Sequence, residues 1–109
     1  MSSIIELYTY MRNANELVKK IDSLSREEFI ADEDITLAYF GIFKDLLTYI
    51  VKLDAMFMVH SELSILVKEI YEIDRFMLNT YKLVNSDILY DFYKVDYKRL
   101  YKIVTELVK

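Results

Sequence analysis

The sequence predicts an all-α fold, a four- to five-helix up-and-down bundle, on three observations. The chain of 109 residues has no proline and a single glycine, Gly41. Tight turns that need positive φ therefore have almost no suitable residue, and β-hairpins are disfavoured. Apolar residues recur at alternating steps of three and four along most of the chain, the spacing of one helix face. Between these stripes stand serines, asparagine and aspartates followed by acids, which are good helix starts. Hydrophobic residues make up 54% and charged residues 29%, a balance that folds rather than stays disordered. The length suits one domain, residues 1–109.

The first helix has its seam in Ile4, Leu7, Met11, Ala14, Val18 and Ile21. A second start lies at Ser25, Arg26, Glu27 and Glu28. It has the form of a capping box, with the serine hydroxyl on the N3 amide and Glu28 reaching back, and Leu24 and Phe29 at staple positions. The short helix ends near Ile30. The acidic run Asp32, Glu33 and Asp34 then opens a longer helix, where negative charge opposes the helix dipole. Its seam of Ile35, Tyr39, Ile42, Leu46, Tyr49, Leu53 and Met56 continues in register through His60, Leu63, Val67 and Ile70.

One helix of that length is unusual in so small a domain. A break is therefore predicted near His60 and Ser61, with Ser61 as cap and Glu62 in the first turn. A third helix runs to about Val84 and turns Leu66, Ile70, Ile73, Met77, Tyr81 and Val84 inward. Asn85 and Ser86 cap better than they continue a helix, so the chain resets there. Asp96 is the expected N-cap of the last helix, with Val95 and Leu100 at staple spacing. That helix buries Leu100, Ile103, Val104 and Leu107.

Composition removes several function classes. The absence of cysteine excludes disulfides, thiolate nucleophiles and Cys-ligated zinc. His60 is the only histidine, which excludes a multi-histidine metal site within one chain, and no cofactor is expected. A net charge of -4 argues against binding nucleic acid by bulk electrostatics, although a local basic strip is compatible with it. No uninterrupted apolar run reaches membrane-spanning length, and the N-terminus lacks a basic flank or small-residue cleavage site. A cytosolic protein is the expectation.

The residues from 85 to 101, NSDILYDFYKVDYKRLY, carry the strongest functional signal. Their frame resembles the C-terminal part of HEPN domains, in particular the toxin half of nucleotidyltransferase–HEPN toxin–antitoxin pairs. Those proteins have an Arg followed by Asn, a His four to six spacers after the Arg, an aromatic two further on, a hinge with an acid, and a final amphipathic helix. Asn85 falls on the Arg position, Ser86 on the Asn, Tyr90 on the His and Phe92 on the final aromatic. Lys94, Val95 and Asp96 form the hinge. Leu24, Glu27, Glu28, Phe29 and Asp32 match a phrase that precedes the long second helix of the same family.

The resemblance implies a helical bundle that dimerises about a two-fold axis, with the motif of each subunit lining a shared cleft. In the family, Arg and His assist metal-independent RNA cleavage, which needs a cation at the transition state and a proton carrier. Asn85 carries no charge, and Tyr90, with an ordinary pKa of about 10, is a poor proton shuttle at neutral pH. Phe92 lacks the hydroxyl that the partner transferase modifies in some pairs.

The expectation is thus a non-catalytic, diverged HEPN-like module with a degenerate ribonuclease motif. It acts by homodimerisation and protein contact, with a nucleotidyltransferase as candidate partner. Its cleft positions are Asn85, Ser86, Tyr90, Asp91, Phe92 and Tyr93, and no residue is assigned as catalytic. One alternative is a ribonuclease with a rearranged site built on Tyr90, Asp91, Tyr93 and nearby lysines. Another is an unrelated helical interaction protein.

Other features have structural explanations. Tyr90, Tyr93, Tyr97 and Tyr101 recur at steps of three and four among Lys94, Lys98, Arg99 and Lys102. They form either a stacking and phosphate surface for single-stranded RNA, or a tyrosine-edged core stripe with lysines on its wet face. The core stripe is preferred for an acidic chain. His60 reads as a structural or helix-terminal residue rather than a general base. Glu27, Glu28, Asp32, Glu33 and Asp34 sit at two helix starts, which explains them without a metal. Met56, Phe57 and Met58 suit core packing first and an oligomer surface second.

Overall fold

The computed structural model describes residues 3–79, 81 and 83–109, and it is all-helical. Helix α1 spans Ser3–Val18 and tightens into a 3-10 turn over Lys19–Ser23. Helices α2, Arg26–Ala31, and α3, Glu33–Val51, follow almost without a gap. A 3-10 turn at Ala55–Val59 leads to α4, Ser61–Arg75. The final rod consists of α5, Ser86–Asp91, a π-turn over Phe92–Asp96, and α6, Tyr97–Val108.

The α1 seam is buried as its spacing requires, at Ile4, Leu7, Met11, Val18 and Ile21, with Ala14 partly covered. The capping box is complete: Glu28 N–H donates to Ser25 Oγ at 3.1 Å, and Ser25 N–H donates to Glu28 Oε1 at 3.0 Å. Leu24 packs against the core and Phe29 lies fully within it. Ser25→Ala is expected to cost about 1 kcal/mol, read as a lower urea midpoint with unchanged slope. An unshifted midpoint would mean that the cap is idle. The acidic start of α3 is realised through Asp32, whose Oδ1 accepts from Ile35 N–H at 3.1 Å.

Packing then departs from the sequence pattern. Helix α1 runs antiparallel to α3: the Tyr39 hydroxyl donates to the Leu17 carbonyl at one end, and Asp54 N–H donates to Ser3 Oγ at the other. Helix α3 stops at Val51, well short of the break predicted near His60, because a longer helix would run past the start of α1 into water. Met56, expected on the seam, is 69% exposed. The cap of α4 is His60 rather than Ser61: His60 Nδ1 accepts from Leu63 N–H at 3.2 Å, and Ser61 is the first helical residue. His60 is thus a helix-terminal residue, as its sequence context suggested.

Helix α4 ends at Arg75, not near Val84. Asn79 Oδ1 accepts from the N–H groups of Tyr81 and Leu83, the local bonding by which asparagine favours a turn over a helix. Asn79 N–H donates to the Leu83 carbonyl at 2.8 Å, and Asn85 N–H donates to that of Met77 at 2.7 Å. These bonds close a small antiparallel loop in a chain whose composition disfavours hairpins. Its turn is built on asparagine instead of glycine. Met77 is buried as predicted, but Tyr81 is 82% exposed and Val84 only partly covered.

The chain does reset at Asn85, whose Oδ1 faces Ile88 N–H at 3.4 Å. It does not reset at Asp96. That residue stays right-handed helical and makes no capping bond, so the predicted hinge is a π-turn inside one continuous rod. The extra residue of the π-turn re-phases the helix. Leu89 and Tyr90 face inward before it, Phe92 and Tyr93 at its start, and Tyr97, Leu100, Ile103 and Val104 after it. Val95, the expected staple residue, is exposed and Leu107 is partly covered. Helix α6 is antiparallel to α1, with the Tyr97 hydroxyl on the Met11 carbonyl and Lys94 and Lys98 on Asp22. The long rods pack around a single hydrophobic core, and no described helix is long and apolar enough to cross a membrane.

Candidate functional site

The residues from 85 to 102 are distributed around the final rod, and within the single chain they do not line one cleft. Asn85 is consumed as a cap, and Ser86 borders a groove shared with α2 and α3. Tyr90 is buried against Phe29, with ring centroids 5.5 Å apart, and its hydroxyl donates to the Leu24 carbonyl at 2.8 Å. Phe92 meets Phe43 edge-on at 4.9 Å. The Tyr93 hydroxyl donates to the Tyr39 carbonyl at 2.6 Å, and burial raises its pKa well above the ordinary tyrosine value. Tyr97 is buried and Tyr101 half-buried. Three of the four rod tyrosines thus present no open face for a base to stack on.

The charged residues form two clusters. In one, the Arg26 guanidinium sits 5.0 Å from the Tyr90 ring centroid and bridges Asp87 at 3.1 Å and Asp91 at 2.6 Å. The two carboxylates lie four residues apart on one face of α5, so a single guanidinium reaches both. In the other, Lys98 at 2.7 Å and Lys94 at 3.3 Å converge on one oxygen of Asp22. The Lys98 contact chiefly holds the Asp22 carboxyl below its usual pKa. Lys94 Nζ is also 5.7 Å from the Tyr90 ring centroid, so cations flank Tyr90 from two elements. Arg99 pairs with Glu69 at 3.3 Å. Lys102 stands exposed beside a groove between α1 and α6.

Asp96 lies in the π-turn, where burial first and the nearby Glu69 second raise its pKa. Among the described residues, no three His, Asp or Glu side chains converge as a metal site would require. Glu28 and Asp32 of the acidic group are occupied as capping acceptors.

Sequence reasoning passed over Arg26 and Asp22. Arg26 lies between a cap and its acids and reads as a solvated first-turn residue. Its partners are more than sixty positions away. The carboxylate pair at i and i+4, Asp87 and Asp91, was the one available hint. Set against protein-family models, curated proteins and solved structures, the chain matches none.

Proposed function

We propose that this chain is a non-catalytic helical module, a diverged relative of the HEPN family, that acts by self-association and protein contact. The observation that carries it is an apolar groove of about 450 Å³ at the corner of α2, α3 and the loop before α5, lined in part by Ile30, Leu37, Leu83 and Val84. Ile30 is 42% exposed, Leu37 50% and Leu83 63%. Single exposed apolar residues are ordinary on a protein surface, but several sharing one groove support its reading as a contact surface. Ser86, one of the motif-equivalent positions, lies on its edge. The preferred occupant is a second copy, and a nucleotidyltransferase is the candidate hetero-partner that the family resemblance supplies.

Light scattering tests this directly. The wild-type protein is expected at twice the chain mass of 13.1 kDa, and Leu37→Glu at the chain mass with its helical signal intact. A wild-type monomer, or a variant that still dimerises, removes the proposal.

A ribonuclease with a rearranged site is the second reading, favoured by the cations on either side of Tyr90. Each is paired with a carboxylate, and the Tyr90 hydroxyl is occupied by a backbone carbonyl. Incubation with single-stranded RNA is therefore expected to leave it intact. Cleavage that disappears in Tyr90→Phe would replace the interaction module with an enzyme.

A further inference from the structure

A second groove, also of about 450 Å³, lies between the C-terminal half of α1 and α6 and shares no residue with the first. Its floor is apolar, with Val18 and Tyr97 buried and Tyr101 partly buried. Lys19 stands on the α1 wall, and Lys98, Lys102 and Lys109 on the α6 wall. Lys98 and Lys102 lie one turn apart on the same face of α6, and Lys109 follows directly after its last residue. Two carboxylates, Asp22 and Glu106, share the groove. Asp22 is already bridged by Lys98 and Lys94, and Lys19 lies 3.9 Å from Glu16 outside it. The result is a cationic trough on a chain whose net charge is -4.

The shape fits a helix. The trough follows α6 from Tyr97 to Lys109, roughly 18 Å at helical rise, or about three turns. Two antiparallel neighbours leave between them the furrow into which a third helix packs. Single-stranded nucleic acid would use the same lysines but also needs open aromatic faces. Tyr97 is buried, and Tyr101 leans on Tyr8 and Tyr97 at 6.3 and 6.2 Å. We propose that the α1–α6 groove docks an amphipathic helix of a partner protein, its apolar stripe on the Tyr101 ring and the lysine stems beside it, with flanking Asp or Glu residues against Lys19, Lys102 and Lys109. Recognition follows the helix-in-groove mode, with the charges setting orientation and partner choice.

Fluorescence anisotropy with three labelled probes tests it. The first is a synthetic helix of about 18 residues, leucine on one stripe and glutamate on both flanks. The second replaces each glutamate by lysine, and the third is a single-stranded oligouridylate. Wild-type protein is expected to bind the acidic helix about tenfold more tightly than the basic one. Binding is expected to weaken as salt rises from about 0.05 to 0.5 M. The double variant Lys102→Glu, Lys109→Glu, on exposed positions, is expected to lose about tenfold for the acidic helix with its circular dichroism unchanged. No binding of the acidic helix, or equal binding of both helices, overturns the proposal. Preferential binding of oligouridylate overturns it in favour of nucleic acid. Leu37→Glu lies in the other groove and is expected to leave peptide affinity unchanged, so this site and the self-association surface fail or stand separately.

Discussion

Phe29→Ala is expected to remove about 4 kcal/mol of stability. Phe29 is fully buried and is the only buried residue of α2. Its ring sits 5.6 Å from that of Tyr39 on α3 and 5.5 Å from that of Tyr90 on α5. Truncation loses the transfer free energy of the ring and leaves a cavity among aromatics that have their own tethers and cannot close over it. The Tyr39 hydroxyl is bonded to Leu17 and the Tyr90 hydroxyl to Leu24. Helix α2 then holds on through its cap and the exposed Arg26 bridges, which water and salt weaken. For a domain of this size the melting temperature is expected to fall by roughly 20 °C. Thermal and urea unfolding followed by circular dichroism measure it. A loss below about 1.5 kcal/mol would mean that α2 is not anchored by this ring.

Raising the pH above about 10 is expected to unfold the protein cooperatively. Burial above all raises the pKa values of Tyr93 and Tyr97, whose hydroxyls donate to the carbonyls of Tyr39 and Met11. The unfolded chain gives up these protons near pH 10, while the folded chain keeps them. Their contribution is therefore fully present below about pH 10 and falls as pH rises toward the folded values, on the order of 1 kcal/mol per pH unit for each tyrosine. Tyr39, raised by burial and by Asp22, adds to the same slope. So does Tyr10, raised by burial and by its hydrogen bond to Asp45. Against a total of about 5–15 kcal/mol, a couple of pH units suffices. Tyrosinate absorbance and helical ellipticity, recorded together, are expected to show exposed tyrosines ionising first and the buried ones only as helix is lost. Ionisation of all ten tyrosines on one smooth curve with the helices intact would contradict this account.

Some features of the chain are encoded within a turn or two of sequence, and others only in how the helices pack. The α1 seam, the capping box at Ser25, the acidic start at Asp32 and the cap at Asn85 are local. Each depends on residues within a turn or two, so spacing and side-chain chemistry were enough to place them. The ends of α3 and α4 are not local. The heptad register from Ile35 to Ile70 runs on without a stop signal, and α3 stops where α1 no longer flanks it, at the Ser3–Asp54 contact. Asp96 has the composition of a cap but sits inside a helix, because a π-turn lets Phe92, Tyr93 and Tyr97 all reach the core without breaking the rod.

By itself, the sequence determined the helical class, most helix starts, the inward faces and the absence of the cysteine and histidine clusters needed for several chemistries, because all of these follow from residue type and short-range period. Only the tertiary structure decided what those faces meet. It brought Arg26 to Asp87 and Asp91, and Lys94 and Lys98 to Asp22. It sank Tyr90, Phe92 and Tyr93 into one aromatic cluster with Phe29, Tyr39 and Phe43, and it opened two grooves that share no lining residue. Such pairings join residues far apart in the chain, and their geometry exists only once the helices have packed.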